Sequence, residues 1–372
     1  MYKGNVAILD VTSSKITALV GQRGVNNTFI FKAIKTVTYS GFEDGVFFDL
    51  EELTKAVKSA IVAVEINCKY KIKEIFIGVP GEFVLVKNKK HLIAFSKKKK
   101  LNFKDVSRLH LESYDFKSKG YSLIKTTPIY YVLSDKTRTL YPEKYLSDTL
   151  EGYLSFFLCD DSFINTFKNI LNGLKINQTV FLPITLAEAL YLIPSEIRDE
   201  VSLIADIGYI SSTFSVVCGN GIIFQKSFSK GGGYITAYLS QTFDLNFDTA
   251  EQIKQKVNLN YNVSINDFYE LYQGEELLSF QAKQVNEIIC YGLDEICEYI
   301  NACFDGYGNK DIESKTLNIT GEGLNSIRGS YEYISKRLNL VVENIAPKIP
   351  YFNKSSQSSI LSLLDMSLSE KE

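Results

Sequence analysis

Cysteine and histidine are scarce in this sequence, and their spacing does not form a metal site. The six cysteines include no CxxC pair, and the two histidines, His91 and His110, are far from the last three cysteines. A zinc site is therefore not expected. We expect the thiols to be small, buried side chains that stay reduced in the cytoplasm.

The sequence also lacks a charge excess and a long hydrophobic run. With 41 basic and 43 acidic residues, the net charge of −2 gives no indication of a nucleic-acid partner. The N-terminus contains Asp10 and no long apolar core, so it predicts neither a signal peptide nor a membrane span. The 372 residues, 45% of them hydrophobic, are enough for two or more compact units.

One pattern occurs twice along the chain: strand, aspartate, small polar turn, strand, glycine turn, strand. It runs through residues 5–39 with Asp10 at the first strand end, and through 201–228 with Asp206 and Gly208 there. Each copy alone also fits an ordinary hairpin. An acid and a polar turn at a strand end suit a phosphate and a hydrated metal, which indicates an internal duplication around such a site. The first turn consists of Thr12, Ser13 and Ser14, followed by Lys15.

Further candidates follow the second copy. Gly231, Gly232 and Gly233 precede a helix predicted from residue 234, whose N-terminus is a ready anion site. Glu251 and Lys254 lie three apart on a second predicted helix, a spacing that an ordinary ion pair also explains. A strand at 316–320 then runs into Gly321, Glu322 and Gly323, and a helix is expected to start within 324–328.

Residues 87–120 are strongly basic and interrupt the alternation of strands and helices. The pattern predicts a solvated loop, or alternatively a patch for an acidic partner or anionic lipid. A helix at 102–111 and strands at 121–134 and 153–158 complete the segment. Before it, Asp49 is a predicted N-cap for a helix over 50–65, followed by a strand at 74–79.

In this order the segments resemble the actin-like ATPases and, within them, the bacterial cell-division protein FtsA over almost the whole chain. PilM-like pilus-assembly proteins share the layout and are the second resemblance. The supporting segments are 8-ILDVTSSKITALVG-21, 41-GFEDGVFFDLEE-52, 75-IFIGVPG-81, 101-LNFKDVSRL-109, 206-DIG-208, 231-GGGYIT-236, 250-AEQIK-254 and 317-LNITGEG-323.

The resemblance implies an α/β, ribonuclease H-like duplicated, two-lobed actin-like fold with an FtsA-type insertion. The implied parts are a first lobe (1–86, 158–197 and 345–372), an inserted subdomain (87–157), a second-lobe core (198–240 and 308–344) and an outer subdomain (241–307).

The same resemblance implies that ATP and Mg²⁺ bind between the lobes. Asp10 and Asp206 would hold the metal through water, and Thr12, Ser13, Ser14 and Lys15 would surround the phosphates with Gly208. Gly231, Gly232 and Gly233 would lie by the α-phosphate and sugar. Glu251 and Lys254 would contact ribose and base, and Gly321 and Gly323 would admit the adenine.

Several positions depart from the family pattern. Thr12, Tyr209 and Ile210 stand where the family has glycine, Thr213 stands where it has a second acid, and Glu322 interrupts the adenosine glycines. A side chain at 209 or 210 is expected to crowd the γ-phosphate or to force the turn into another conformation, and no histidine or other base replaces the lost acid. We assign no catalytic residue and expect ATP hydrolysis to be weak or absent.

The resemblance therefore implies a scaffold in bacterial cell division, with the active Mg-ATPase and the PilM-like adaptor as alternatives. Expected partners are an FtsZ-type filament protein at 241–307 and a second copy at 87–157. The segment 358–372 is acidic and predicts the last helix of the fold rather than a membrane anchor. We expect a cytoplasmic protein at the division site or at the inner face of the membrane, with weak or indirect membrane contact.

Overall fold

Eighteen strands and ten α-helices occur in the computed structural model, which describes residues 4–309, 312 and 314–371. The first elements are β1 Val6–Val11, β2 Lys15–Arg23, β3 Phe29–Thr38, β4 Phe42–Glu43, β5 Val46–Phe47, α1 Leu50–Cys68, β6 Glu74–Val79, β7 Val84–Lys100, α2 Phe103–Ser113, β8 Tyr121–Leu133, β9 Arg138–Thr139, β10 Leu146–Asp160, α3 Asp161–Asn172, β11 Gln178–Pro183, α4 Ile184–Leu192 and α5 Ser195–Arg198. The remainder are β12 Ser202–Ile207, β13 Ser212–Cys218, β14 Gly221–Phe228, α6 Gly232–Phe243, α7 Phe247–Lys254, β15 Phe268–Gln273, β16 Glu276–Gln281, α8 Ala282–Tyr307, β17 Leu317–Thr320, α9 Ser330–Leu338, β18 Val342–Asn344 and α10 Ser358–Glu370.

Two five-stranded sheets repeat one topology. Their orders are β3–β2–β1–β6–β11 and β14–β13–β12–β17–β18. In each, three antiparallel strands come first and two parallel strands follow the inner strand. Even the register agrees, because Asp10 lies opposite Thr17 in the first sheet and Asp206 opposite Thr213 in the second. The duplication predicted from the sequence is thus confirmed at the level of topology.

Each sheet has its own hydrophobic core, covered by helices. Helix α1 presents to the first core the stripe that its sequence predicts: Leu53, Val57, Ile61 and Val64 are all buried. Helix α10 packs against α4 and β1 in the same core. The second core collects β12, β13, α6 and the long helix α8. The two acids at the strand ends therefore project from two lobes that pack largely in separate cores.

Asp49 caps α1, as predicted, because its Oδ1 accepts a hydrogen bond of 2.9 Å from the backbone N–H of Glu52. Replacing Asp49 with Ala is expected to lower the free energy of unfolding by about 1 kcal/mol, since a backbone donor at the helix N-terminus loses its acceptor. Urea denaturation measures the change. Glu51→Ala, in the same turn but 81% exposed, is the control and should change stability by no more than a few tenths of this; equal losses would contradict the capping role.

The basic segment is a long strand rather than the predicted loop. β7 pairs with β10 from Val84 opposite Cys159 to Lys100 opposite Leu146, within a four-stranded antiparallel sheet ordered β7–β10–β8–β9. We call this sheet the inserted sheet; α2 covers one of its faces. Lysines obscured the strand because they have little intrinsic preference for it, yet charged side chains of this kind are typical of a solvent-exposed edge strand such as β7.

The opposite face of the inserted sheet packs on the second lobe. The amide of Asn88 donates to the carbonyl of Ile223 at 2.5 Å, and the Ser155 hydroxyl donates to the carbonyl of Ile222 at 2.8 Å. The backbone N–H of Asn220 donates to Pro128. Because the inserted sheet leaves and re-enters the first lobe, these bonds tie the two lobes together outside the cleft.

The acid and glycines at 305–309 predict a loop, but Asp305 and Gly306 belong to α8. The hairpin β15–β16 was not predicted from the sequence. The helix expected from 324–328 begins at Ser330, after a run of turns. Among the described residues, no helix combines the length and the apolar character that a membrane crossing requires.

Candidate functional site

The ends of β1 and β12 face each other across a cleft between the lobes. The narrow cavity there, about 50 Å³, is bounded by the first hairpin turn, the segment 80–82, α4, the second hairpin turn and the segments 321–322 and 355–359. Pockets that enclose a drug-sized ligand usually measure about 300–1,000 Å³. The cleft must therefore open before it admits a nucleotide.

Asp10 lies at the end of β1 and is 3% exposed. Its Oδ2 accepts a hydrogen bond of 2.6 Å from the hydroxyl of Ser359 on α10, whereas its Oδ1 has no partner. Burial raises the pKa of Asp10 to about 6, although Ser359 and Lys15 act in the opposite direction. The sequence did not indicate Ser359, since it lies 349 residues away.

Asp206 occupies the equivalent position in the second lobe and lines the cavity. Burial raises its pKa to about 7, and the charges of Glu82, Glu322 and Asp10 add to the effect. The structure therefore brings together the two predicted acids closely enough for their charges to interact.

Two more acids enter the cleft that sequence reasoning missed. Glu82 follows β6 and accepts a hydrogen bond of 2.8 Å from Ser211. Glu188, on α4, is 1% exposed, and its Oε2 has no partner. Burial raises the pKa of each, and the charges of Asp206 and Asp10 raise that of Glu188 further. Glu188 could have been noticed because it is the one charged residue in the apolar helix ITLAEALYL.

The acid cluster suits a hydrated divalent cation. The partnerless oxygens of Asp10 and Glu188 are hard ligands of the kind that Mg²⁺ prefers, and Mg²⁺ usually keeps several of its waters. In the described part of the chain, no three His, Cys, Asp or Glu side chains are arranged to hold a metal directly. The predicted role of Asp10 and Asp206 through water stays a prediction.

Residues of the first turn are bonded to one another and to the second lobe. Thr12 closes its own turn by donating to the carbonyl of Lys15 at 3.2 Å, and Ser13 accepts from the backbone N–H of Ile210 at 3.2 Å. Ser14 donates to Glu322 at 3.2 Å, and Lys15 forms an ion pair with the same carboxylate. A carboxylate of the protein thus holds the serine and the lysine that would surround phosphates.

The predicted anion site at the start of α6 is also engaged. The N–H groups of Gly232 and Gly233 donate to the carbonyls of Gly208 and Tyr209 at 3.0 and 2.7 Å. A side chain on Gly231 would collide with the carbonyls of the same two residues. The three glycines are therefore required for the close packing of α6 on the second turn, and their contact with a nucleotide remains a prediction.

Tyr209 projects over the start of α6. Its ring lies so close to Gly233 that a Cβ built on this glycine would come within 3.0 Å of the ring. The Tyr209 hydroxyl donates to Glu251 at 3.2 Å. Lys254 is 1% exposed and donates to the carbonyl of Gly232 at 2.9 Å while pairing with Glu251 at 2.7 Å. Glu251 and Lys254 thus form the ordinary ion pair that their spacing allows. Tyr209 fills the space beside the residues assigned to the nucleoside.

Gly321 and Gly323, which follow β17, pack against the end of β12 and the second turn. Gly321 has a φ of +94°, and a Cβ there would collide with Asp206 Oδ1; one on Gly323 would collide with the carbonyl of Gly208. The N–H of Gly323 donates to Ile207 at 2.8 Å. The acids at the metal end of the cleft therefore suit the implied Mg²⁺, whereas Glu322 holds the groups assigned to phosphates and Tyr209 lies beside those assigned to the nucleoside.

Sequence comparison connects the chain with two groups of proteins. A family model described as type IV pilus assembly protein PilM matches residues 184–296. FtsA of Streptococcus pneumoniae serotype 2 is 21% identical over 362 residues, covering 90% of this chain and 75% of that protein. FtsA of Bacillus subtilis is 21% identical over 313 residues, covering 82% and 70%.

Solved structures show the same fold. A PilM–PilN type IV pilus biogenesis complex superposes with a TM-score of 0.63 at 13% identity, over 100% of this chain and 99% of that chain. MreB5 of Spiroplasma citri bound to AMPPNP gives a TM-score of 0.58 at 12% identity, over 100% and 98%. The chain has the actin-like ATPase fold, and the resemblance to FtsA and PilM proteins is confirmed.

Proposed function

We propose that this protein is an FtsA-like, actin-fold scaffold of bacterial cell division that organises FtsZ-type filaments and makes little or no use of ATP hydrolysis. It acts at the division site, peripheral to the inner face of the cell membrane. The observation that carries the proposal is the occupied cleft. Glu322 bonds to Ser14 and Lys15, which are assigned to phosphates, and the Tyr209 ring lies against Gly233, beside the residues assigned to the nucleoside.

The two lobes are joined across the cleft by the protein's own side chains. Glu322 joins the second lobe to Ser14 and Lys15 of the first, and Ile210 donates to Ser13. The inserted sheet bridges the lobes a second time through Asn88 and Ser155. An actin-like protein whose lobes are held by such contacts can present a constant surface to partners, which suits a scaffold better than a cycling motor.

Weak hydrolysis follows from the groups available to activate water. Thr213 stands where the family has an acid, and its hydroxyl hydrogen-bonds with Ser227 at 2.8 Å. A hydroxyl does not serve as a base at neutral pH. Nucleotide and Mg²⁺ would bind at Asp10, Asp206 and the glycines only after the cleft opens.

An active Mg-ATPase is the second candidate, because Glu82 and Glu188 supply two carboxyl groups that the sequence did not reveal. Burial raises the pKa of both carboxyl groups, which is the direction that general-base catalysis requires. Phosphate release with Mg²⁺–ATP separates the candidates: turnover that both Glu188→Gln and Asp206→Asn abolish would replace the scaffold with the ATPase.

The surface proposed for the filament partner is a groove between α6 and α8 in residues 241–307 and the adjoining end of α6. Its lining is Tyr238, Gln241, Thr242, Gln284, Glu287, Ile288 and Tyr291. Tyr291 is 57% exposed, and an aromatic side chain in such a groove is a typical anchor for a peptide.

Replacing Tyr291 with Ala is expected to weaken binding of an FtsZ C-terminal peptide about tenfold, because a buried anchor is worth more than ~1 kcal/mol. Fluorescence anisotropy measures the dissociation constant. Tyr272→Ala, outside the groove and 74% exposed, is the matched control. Binding of a PilN peptide instead of the FtsZ peptide would favour the PilM-like adaptor.

Self-association through residues 87–157 is a further part of the proposal. β7 forms one edge of the inserted sheet over 17 residues, and an edge strand offers unpaired backbone groups to a second copy. Sedimentation velocity of the full chain, compared with a variant carrying Leu92→Pro in this edge, tests it. If the variant assembles to the same extent as the wild type, the β7 edge is not the self-association surface.

A further inference from the structure

The free end of the inserted sheet combines lysines with outward-facing apolar side chains. We call this end the basic tip and define it as residues 97–104 and 141–146. Lys100 lies opposite Leu146 where β7 ends and β10 begins. The backbone N–H of Leu101 donates to the carbonyl of Tyr145 at 2.9 Å, and that of Lys144 donates to Leu101 at 3.0 Å. The two segments therefore form one continuous surface.

Four large side chains of the basic tip are exposed to solvent. The exposed fractions are 75% for Phe103, 70% for Tyr141, 63% for Leu146 and 47% for Tyr145. Phe103 occupies the first position of α2, whose N-cap is Asn102, so its side chain is held by a well-defined backbone. Single exposed apolar residues are common, but a group of them on one small tip indicates an interaction surface.

The charge of the basic tip is predominantly positive. Lys97 to Lys100 and Lys104 fall within eight residues that contain no acid. Among the ion pairs of the described residues, only Lys99 of this run takes part, with Asp105 at 2.7 Å. Hydrogen bonds from Thr137 lower the pKa of Asp135, and the positive charge of Lys98 lowers it slightly further. Glu143 is the one acid within the basic tip, and Asp148 lies two residues beyond it.

We propose that the basic tip docks on an anionic membrane surface. Phe103, Tyr145 and Leu146 enter the interfacial region, where aromatic rings and leucine are favoured, and the lysines extend to lipid phosphates. An anionic membrane satisfies both properties of the tip, because it offers negative charge directly above an apolar phase. A nucleic acid offers negative charge but no adjoining apolar phase for Leu146 and the aromatic rings.

The contact is expected to be weak and sensitive to salt. Each basic residue near a charged membrane increases partitioning about fivefold. Because salt screens the charges, this attraction falls off over roughly 8–10 Å at physiological salt. One such tip gives marginal binding alone. Copies arranged along a filament would bind together much more tightly, because the second contact is intramolecular.

Co-sedimentation of the full chain with phosphatidylglycerol-containing vesicles tests the proposal, with pure phosphatidylcholine vesicles as reference. We expect binding to the anionic vesicles only. The variant K97E/K98E/K100E should bind at least about a hundredfold less, because it loses three attractive charges and gains three repulsive ones. The variant K32E/K35E/K58E makes the same change in net charge at exposed lysines elsewhere and should keep most of the binding.

A second pair of variants tests the apolar part. Phe103→Ser with Leu146→Ser should reduce binding about tenfold at unchanged charge, with the far-UV circular dichroism retained. Leu277→Ser, at an apolar residue 46% exposed outside the tip, should leave binding unchanged. Equal binding by both triple lysine variants, or no binding to anionic vesicles at low salt, overturns the proposal. Capture of an acidic protein or of RNA without vesicle binding does so as well.

Discussion

The double variant Tyr209→Gly with Glu322→Gly is expected to bind Mg²⁺–AMPPNP roughly a hundredfold more tightly than the wild type. Removing Glu322 frees Ser14 and Lys15, and removing the Tyr209 ring opens the space against Gly233. Each intramolecular contact competes with the ligand and is worth about 1–1.5 kcal/mol. Together they give about 2.7 kcal/mol, which corresponds to a factor of about 100 in the dissociation constant.

Isothermal titration calorimetry, supported by the shift in unfolding temperature with ligand, measures this effect. Glu322→Gln and Tyr209→Phe separate charge from bulk: the first should tighten binding, whereas the second should change little, because the ring remains. Tyr261→Gly with Glu275→Gly makes the same substitutions in exposed loops and controls for added flexibility. Wild-type protein that binds AMPPNP as tightly as the double variant would show that neither side chain obstructs the cleft.

Replacing Glu188 with Met is expected to raise the free energy of unfolding at pH 8 by about 2 kcal/mol. Glu188 is 1% exposed and has an oxygen without a partner, and burying such a group costs about 1–3 kcal/mol. Methionine fills a similar volume without a charge. Urea denaturation with a chelator present measures the gain. Glu298→Met on an exposed face of α8 should leave the stability within about 0.5 kcal/mol of wild type.

The gain should depend on pH in a defined direction. Burial raises the pKa of Glu188 above 4.5 in the folded state, so the folded protein binds more protons than the unfolded chain. Stability therefore falls as pH rises from the unfolded pKa towards the folded one. Asp10 and Asp206, with pKa values raised to about 6 and 7, extend this fall across pH 4–7. Glu188→Met should thus stabilise less at pH 5 than at pH 8, and an equal gain at both would contradict the burial argument.

The duplicated fold was predictable because its signals are local. Asp10 and Asp206 end apolar runs of strand type, the turns that follow are polar, and the helical stripe of α1 has a period of 3.6 residues. The basic strand β7 was not predictable in this way. Its strand conformation rests on 13 backbone pairings with β10 (residues 146–159), which outweigh the poor strand preference of lysine.

The sequence by itself determined the two strand-end acids, the glycines around them and the departures from the family pattern at 209, 213 and 322. Only the tertiary structure decided what these residues contact. Ser359, Glu188 and Glu322 reach the cleft from segments distant in sequence, since the two lobes bring separate strand ends together. Contacts of this kind leave no local pattern, because they depend on packing between elements. The occupied cleft is therefore a property of the folded molecule that the residues at 209 and 322 indicate only in part.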